Sequence, residues 1–234
     1  MPDPSAPRFG RQELQSLGSL AATLLVMAAL MFIPAGTLAW ARGWWFLVLF
    51  LVLTAAAMIY LWRVNPEIFA ARRRFQPGSK RWDVVVATLI MLMMGAILPV
   101  AALDDGRFHW LSISGWVIAI GYLMFVASYA WIAWAQAVNR HFEPTVRIQT
   151  DRGHTVIDTG PYAIVRHPGY VGALGFAVGM ALALGSWWAL VPAALAIALL
   201  VGRTLAEEAT LAAELPGYAD YMRRVHWRWI PGIW

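Results

Sequence analysis

The chain has 234 residues, 60% of them hydrophobic and only 13% charged, with a formal charge of +5. Soluble domains carry roughly 25% charged residues, so this composition excludes an ordinary water-soluble fold and points to an integral membrane protein. The basic balance then reads as arginine-rich loops facing an anionic leaflet rather than a nucleic-acid surface, and the lack of cysteine excludes disulfides, thiolate metal sites and a cysteine nucleophile.

The first eighteen residues are polar and lack a compact apolar core, which predicts a cytosolic tail and not a signal peptide. A membrane span takes about 20 apolar residues. Such runs extend over Leu17–Trp40, with Pro34 and Gly36 bending its far end, then Gly43–Trp62, Val84–Leu103 and Trp110–Val138. The block Gly169–Val201 is too long for one span and short for two. Gly185-Ser186 at its middle, followed by Trp187-Trp188, predicts a helical hairpin turning at an interface. The expected fold is all-α and polytopic, with about six membrane segments. With the N-terminus inside, every Lys and Arg except Arg42 and Arg107 falls on the inner side, so the positive-inside rule places both termini in the cytoplasm.

Two polar connectors lie on that inner side. Residues 64–83 are basic and read as a contact to lipid headgroups. Residues 139–168 hold three of the five histidines, and Val146, Ile148, Val156 and Ile157 predict short extended pieces. A polar connector of this length between spans points to function. Beyond the hairpin, Arg203–Arg224 reads as a helix broken at Pro216-Gly217, followed by an aromatic, basic tail to Trp234. Residues 1–138 and 139–234 are thus two parts of one integrated domain.

The stretch GPYAIVRHPGY (160–170) breaks the apolar pattern. Pro168 suits the first turn of a helix, whose free N–H groups favour an anion. Arg166 and His167 stand beside that turn, and Tyr162 and Tyr170 offer flat faces. These residues also suit a juxtamembrane turn with a snorkelling arginine. Past the hairpin, RTLAEEA puts Arg203 and Glu207 one helical turn apart, with Glu208 next to them; ionisable groups at a membrane boundary are functional candidates. Together these residues suit a zwitterionic amino acid joined to a nucleoside. Gly172, Gly175 and Gly179 read as a close-packing helix face and not as a dinucleotide loop. The histidines have no metal-ligand spacing.

GHTVIDTGPYAIVRHPGY, RTLAEE and YADYMRRVHWRWIPGIW resemble the isoprenylcysteine carboxyl methyltransferase family of membrane enzymes, over about residues 139–234. More distantly they resemble the phospholipid methyltransferases and the C-terminal part of membrane sterol reductases. Asn65-Pro66-Glu67 is a further, weaker point of similarity. The resemblance implies S-adenosyl-L-methionine as methyl donor, bound on the cytosolic side without a metal. By position it implies a donor pocket of His154, Thr155, Val156, Ile157, Tyr162, His167, Pro168, Gly169, Tyr170 and Glu207, joined by Gln149 and Glu208. Arg203 falls where the family places a substrate-contacting arginine, and Arg166 and Arg228 are further candidates for orienting a carboxylate. The family commonly has Leu-Val-Thr where this chain has Val156-Ile157-Asp158, which puts a new charge near the donor.

The acceptor stays open between two chemistries. A carboxylate is ionised at neutral pH and needs no base. An amine needs His154, His167 or Glu208 to remove a proton. A prenylated or other lipophilic acceptor, together with membrane lipids, is the expected partner. Nothing in the sequence sets the oligomeric state. The reading from another class is a lipid-binding membrane protein that kept the fold without catalysis.

Overall fold

The computed structural model describes residues 11–71 and 78–234. It is an integral membrane protein built from helices, with no β-strand among the described residues. Helix α1 runs Arg11–Ala35, α2 Ala41–Val64 and the short α3 Ile68–Ala71. Helix α4, Arg81–Ala101, continues as a π-helix over Ala102–Phe108 before α5, Gly115–Val138. Then come α6, Pro168–Ala183, α7, Leu190–Glu214, and α8, Tyr218–Arg224. Five helices are long and apolar enough to cross a membrane, and α6 is a shorter apolar helix.

The expected spans are present with shifted ends. The first stops at Ala35, so Trp40 lies in the following turn, where it is buried. The fourth begins at Gly115 and not at Trp110. The third runs on into the π-helix, which apolar patterning could not reveal because residues 102–108 include two acids and an arginine. The hairpin is formed by α6 and α7. Gly185 makes the reversal at φ +75°, a conformation that side chains with a Cβ rarely adopt, and Trp187 and Trp188 are exposed beside it. The helix after the hairpin breaks as expected, α7 ending at Glu214 and α8 starting after Gly217 at φ +83°. The extended pieces expected at Val146, Ile148, Val156 and Ile157 are irregular chain, interrupted by single 3-10 turns at Thr150–Arg152 and Gly160–Ala163. Arg72, Arg73 and Arg74 of the basic connector lie outside the described residues.

Two helix pairs organise the bundle: α5 lies along α6, and α4 lies along α7. The first pair approaches closely because its facing residues are small. A Cβ added to Gly179 would stand 2.7 Å from the Phe125 backbone nitrogen, and one at Gly121 would press into the backbone of Leu182 and Ala183. Ser128 fills the space opposite Gly175. In lipid there is little hydrophobic drive between helices, so contact of this kind supplies the cohesion. Around the seam, Met31, Phe46, Phe125, Met180 and Leu184 form the central core.

At one end of the bundle the turns are cross-linked. Asp104, fully buried, accepts from Ser186 Oγ at 2.7 Å. The neighbouring Asp105 accepts from Trp40 Nε1 at 2.7 Å and pairs with Arg42. The polar connector 139–168 and the C-terminal tail lie at the other end.

Because the α5–α6 seam has no spare volume, Gly179→Ala should lower the thermal midpoint of the detergent-purified protein, overpacking of this kind costing about 1–3 kcal/mol. Gly202→Ala, where a Cβ meets nothing within 4 Å, should leave it unchanged or raise it, since Ala exceeds Gly in helix preference by about 1 kcal/mol.

Candidate active site

The polar connector is fastened to the bundle by Asp83 in the first turn of α4. This side chain is fully buried and accepts from Arg203 Nε at 2.7 Å, Arg203 Nη2 at 2.9 Å and the Val146 N–H at 2.6 Å. Arg203 Nη2 also donates to the Pro144 carbonyl at 2.8 Å. Next to it, the Lys80 N–H donates to the Val146 carbonyl at 3.1 Å, and Ser79 and Thr145 join hydroxyls at 2.6 Å. Asn65, the first residue of the Asn-Pro-Glu stretch, donates to the Gln136 carbonyl at 2.7 Å, and Glu67 pairs with Arg152. The weak motif therefore has a structural use, tying the end of α2 to the end of α5 and to the connector.

A second buried carboxylate, Glu208, gathers three cationic or donor groups. Arg166 Nε is 2.6 Å away, Arg228 Nε 2.8 Å, and His167 Nε2 donates at 3.1 Å. Arg166 Nη1 also donates to the Val225 and His226 carbonyls. The backbone repeats the link, with the Arg166 and His167 N–H groups on the Trp227 and Arg228 carbonyls. The C-terminal tail thus lies against the start of α6, and Trp229 Nε1 donates to Thr204 on α7.

Between these two anchors is a cavity of about 370 Å³. Gln149, His154, Thr155, Val156, Ile157, Tyr162, Arg166, His167, Pro168, Gly169, Tyr170, Arg203 and Glu207 all line it. Glu208 and Arg228 do not; they stand behind its wall. Arg203 and Glu207, one helical turn apart, do not pair, because Arg203 turns to Asp83. Glu207 instead accepts from the Tyr170 hydroxyl and lies 3.9 Å from His167 Nδ1. The Tyr170 ring is stacked on His167 with centroids 5.3 Å apart, and Arg203 lies over the Tyr170 ring at 5.6 Å. Each guanidinium that lines the cavity has a carboxylate partner: Arg147 on Glu143 and Asp151, Arg166 on Glu208, Arg203 on Asp83. Glu207 is the lining carboxylate with no guanidinium partner among the described residues. No group of side chains suited to a metal ion occurs among them.

Two histidines of the connector are held neutral. Burial pushes the His154 imidazole down to about 4, helped by His141, Arg147 and Arg152, and burial lowers His141 as well. The hydrogen bonds agree: His154 Nδ1 accepts from the Gln149 N–H, and His141 Nε2 accepts from the Thr155 N–H. The buried Gln149 binds this pair together, its Nε2 on the His141 carbonyl at 2.7 Å.

Sequence reading missed several lining or supporting residues. His141 and Asn139 stand at the junction of α5 with the connector, Asn139 donating to the Tyr162 hydroxyl at 2.9 Å. Asp83 had a usable signal, a lone acid opening an apolar run inside a basic connector. Tyr218 and Tyr221 come from α8 and line the far wall; only three-dimensional folding brings them there.

Fold and site together define a polytopic helical protein with a polar chamber at one end of its bundle. Residues 116–213 match the isoprenylcysteine carboxyl methyltransferase (ICMT) family, and over that segment the chain is similar to its members. The match supports a broad activity, methyl transfer at a membrane. No curated protein matches the chain.

Glu208→Ala should leave Arg166 buried without its partner and cost about 3–5 kcal/mol, read as a large loss of thermal midpoint. The lowered pKa values of His154 and His141 make a second prediction. At pH above the ordinary imidazole value of 6.5 both states are neutral and stability is complete. As pH falls from there toward about 4 the unfolded chain takes up protons that the folded one refuses, so the midpoint should decline over that window. His154→Gln should flatten the decline.

Proposed function

We propose that this protein transfers a methyl group from S-adenosyl-L-methionine to the carboxylate of a lipophilic, isoprenylcysteine-like acceptor on the cytoplasmic side of the membrane. The observation that carries this reading is the two-sided wall of the cavity. Polar groups of the 139–168 connector and Glu207 form one side; Ile90 and Met91 of α4 form another, and Met91 is exposed on the lipid-facing surface. A chamber bounded in this way suits a charged donor and an acceptor that arrives from the bilayer. The skew of Lys and Arg supports the cytoplasmic orientation.

The chain's own residues fit the donor. A lining carboxylate without a guanidinium suits an ammonium, so Glu207 holds the donor's amino group, and the stacked Tyr170 and His167 rings fix that carboxylate. When bound, the donor supplies an electrophilic methyl carbon on a sulfonium leaving group. The protein's contribution is alignment and exclusion of water.

The acceptor is assigned as a carboxylate on the state of the available bases. His154 holds no proton until the pH is near 4, so it is a weak base. Glu208 is enclosed by Arg166, Arg228 and His167. An amine would need one of them, or His167, whose Nε2 is committed to Glu208, to remove a proton; a carboxylate needs none. Asp83 takes the Nε and Nη2 edge of Arg203 and leaves Nη1 with no partner among the described residues. That remaining edge receives the acceptor carboxylate. Arg166, committed to Glu208 and two carbonyls, holds the wall and not the acceptor.

Calorimetric titration of the detergent-purified protein with S-adenosylhomocysteine should show binding that Glu207→Gln weakens by about tenfold or more, as for loss of a charge-assisted hydrogen bond. Labelled methyl should pass to N-acetyl-S-farnesylcysteine and not to phosphatidylethanolamine. Absence of donor binding by the folded wild type would remove the reading, and methylation of the aminolipid alone would reverse the acceptor assignment.

A further inference from the structure

One polar atom in the cavity wall has nothing to bind. Tyr218 is 5% exposed, and its hydroxyl is the buried side-chain oxygen or nitrogen without a hydrogen-bond partner among the described residues. Its neighbour on α8 shows the contrast, because the Tyr221 hydroxyl donates to the Tyr162 carbonyl at 2.7 Å. An unpaired buried hydroxyl costs stability, so it is expected where a ligand completes it. Tyr218 lines the cavity, among the aliphatic side chains of Leu215, Leu211 and Val156. That surround suits a flat aromatic base with one acceptor atom and not a charged amino-acid group. Burial and the carboxylates of Glu207 and Glu208 raise the Tyr218 pKa, which keeps the hydroxyl protonated as a donor.

We infer that Tyr218 is a ligand-binding residue whose hydroxyl donates to the nucleoside half of the methyl donor. This rests on the donor reading above. It assigns the nucleoside to the α8 side of the cavity and leaves the amino-acid half to Glu207.

The test is Tyr218→Phe, with thermal melting of the unliganded protein and calorimetric titration of two probes, S-adenosylhomocysteine and 5′-methylthioadenosine, which lacks the amino acid. Removing an unpaired hydroxyl should leave the unliganded midpoint equal or higher, while affinity for both probes falls by a similar factor of about ten. A purely structural residue cannot give these opposite signs. Tyr221→Phe, which loses a made hydrogen bond, should instead lower the midpoint. Unchanged affinity in a folded Tyr218→Phe overturns the inference, as does a midpoint that falls together with affinity. Weakened binding of S-adenosylhomocysteine with unchanged methylthioadenosine also overturns it, since the hydroxyl would then serve the amino-acid half. Wild-type protein that binds neither probe removes the donor reading itself, and this inference with it. The variant comparison therefore tests Tyr218 separately.

Discussion

The polar end of this molecule depends on the burial of Glu208. A carboxylate removed from water is strongly unfavourable unless charge and hydrogen bonds surround it, and here they come from three separate parts of the chain. Arg166 and His167 belong to the connector before α6, Glu208 to α7, and Arg228 to the tail. Satisfying one side chain forces these segments together, and the paired backbone of 166–167 with 227–228 follows along the same line. The wall of the cavity is in effect the front of this ion cluster, since Arg166 and His167 face the chamber while Glu208 stays behind.

Asp83 plays the matching part on the opposite wall. It joins α4 to α7 and holds the middle of the connector by the Val146 N–H. The two anchors have different chemistry. Glu208 carries more cationic neighbours than it needs, whereas Asp83 is matched by one guanidinium in a bidentate fork, the geometry arginine prefers. Between them the connector needs no sheet or long helix of its own. Its backbone is ordered by side chains such as Gln149, whose amide reaches His141 and Arg152.

How much of this was legible in the sequence follows from the range of each interaction. Spans are local, so apolar runs gave the helices and the hairpin, with errors at Trp40 and Trp110 where aromatic interface residues extend an apolar run beyond its helix. The glycines of α6 were legible as a packing face because a helix repeats its faces every three to four residues. The residues around 154–170 and Arg203–Glu208 were found by motif order. The partners were not: helix spacing put Arg203 one turn from Glu207, but Asp83 lies 120 positions away and no local rule can select it. Tyr218 is hidden for the same reason, since an orphan hydroxyl is defined by what fails to surround it.

The cross-links among Asp104, Ser186, Asp105, Trp40 and Arg42 have a consequence for the end of the bundle away from the chamber. They fasten the turns of α1–α2, α4–α5 and α6–α7 to one another at that end. The α6–α7 hairpin is thus tied at both ends, its turn through Ser186 and its open end through Tyr170 and Glu207, so the chamber is framed by a fixed pair of helices.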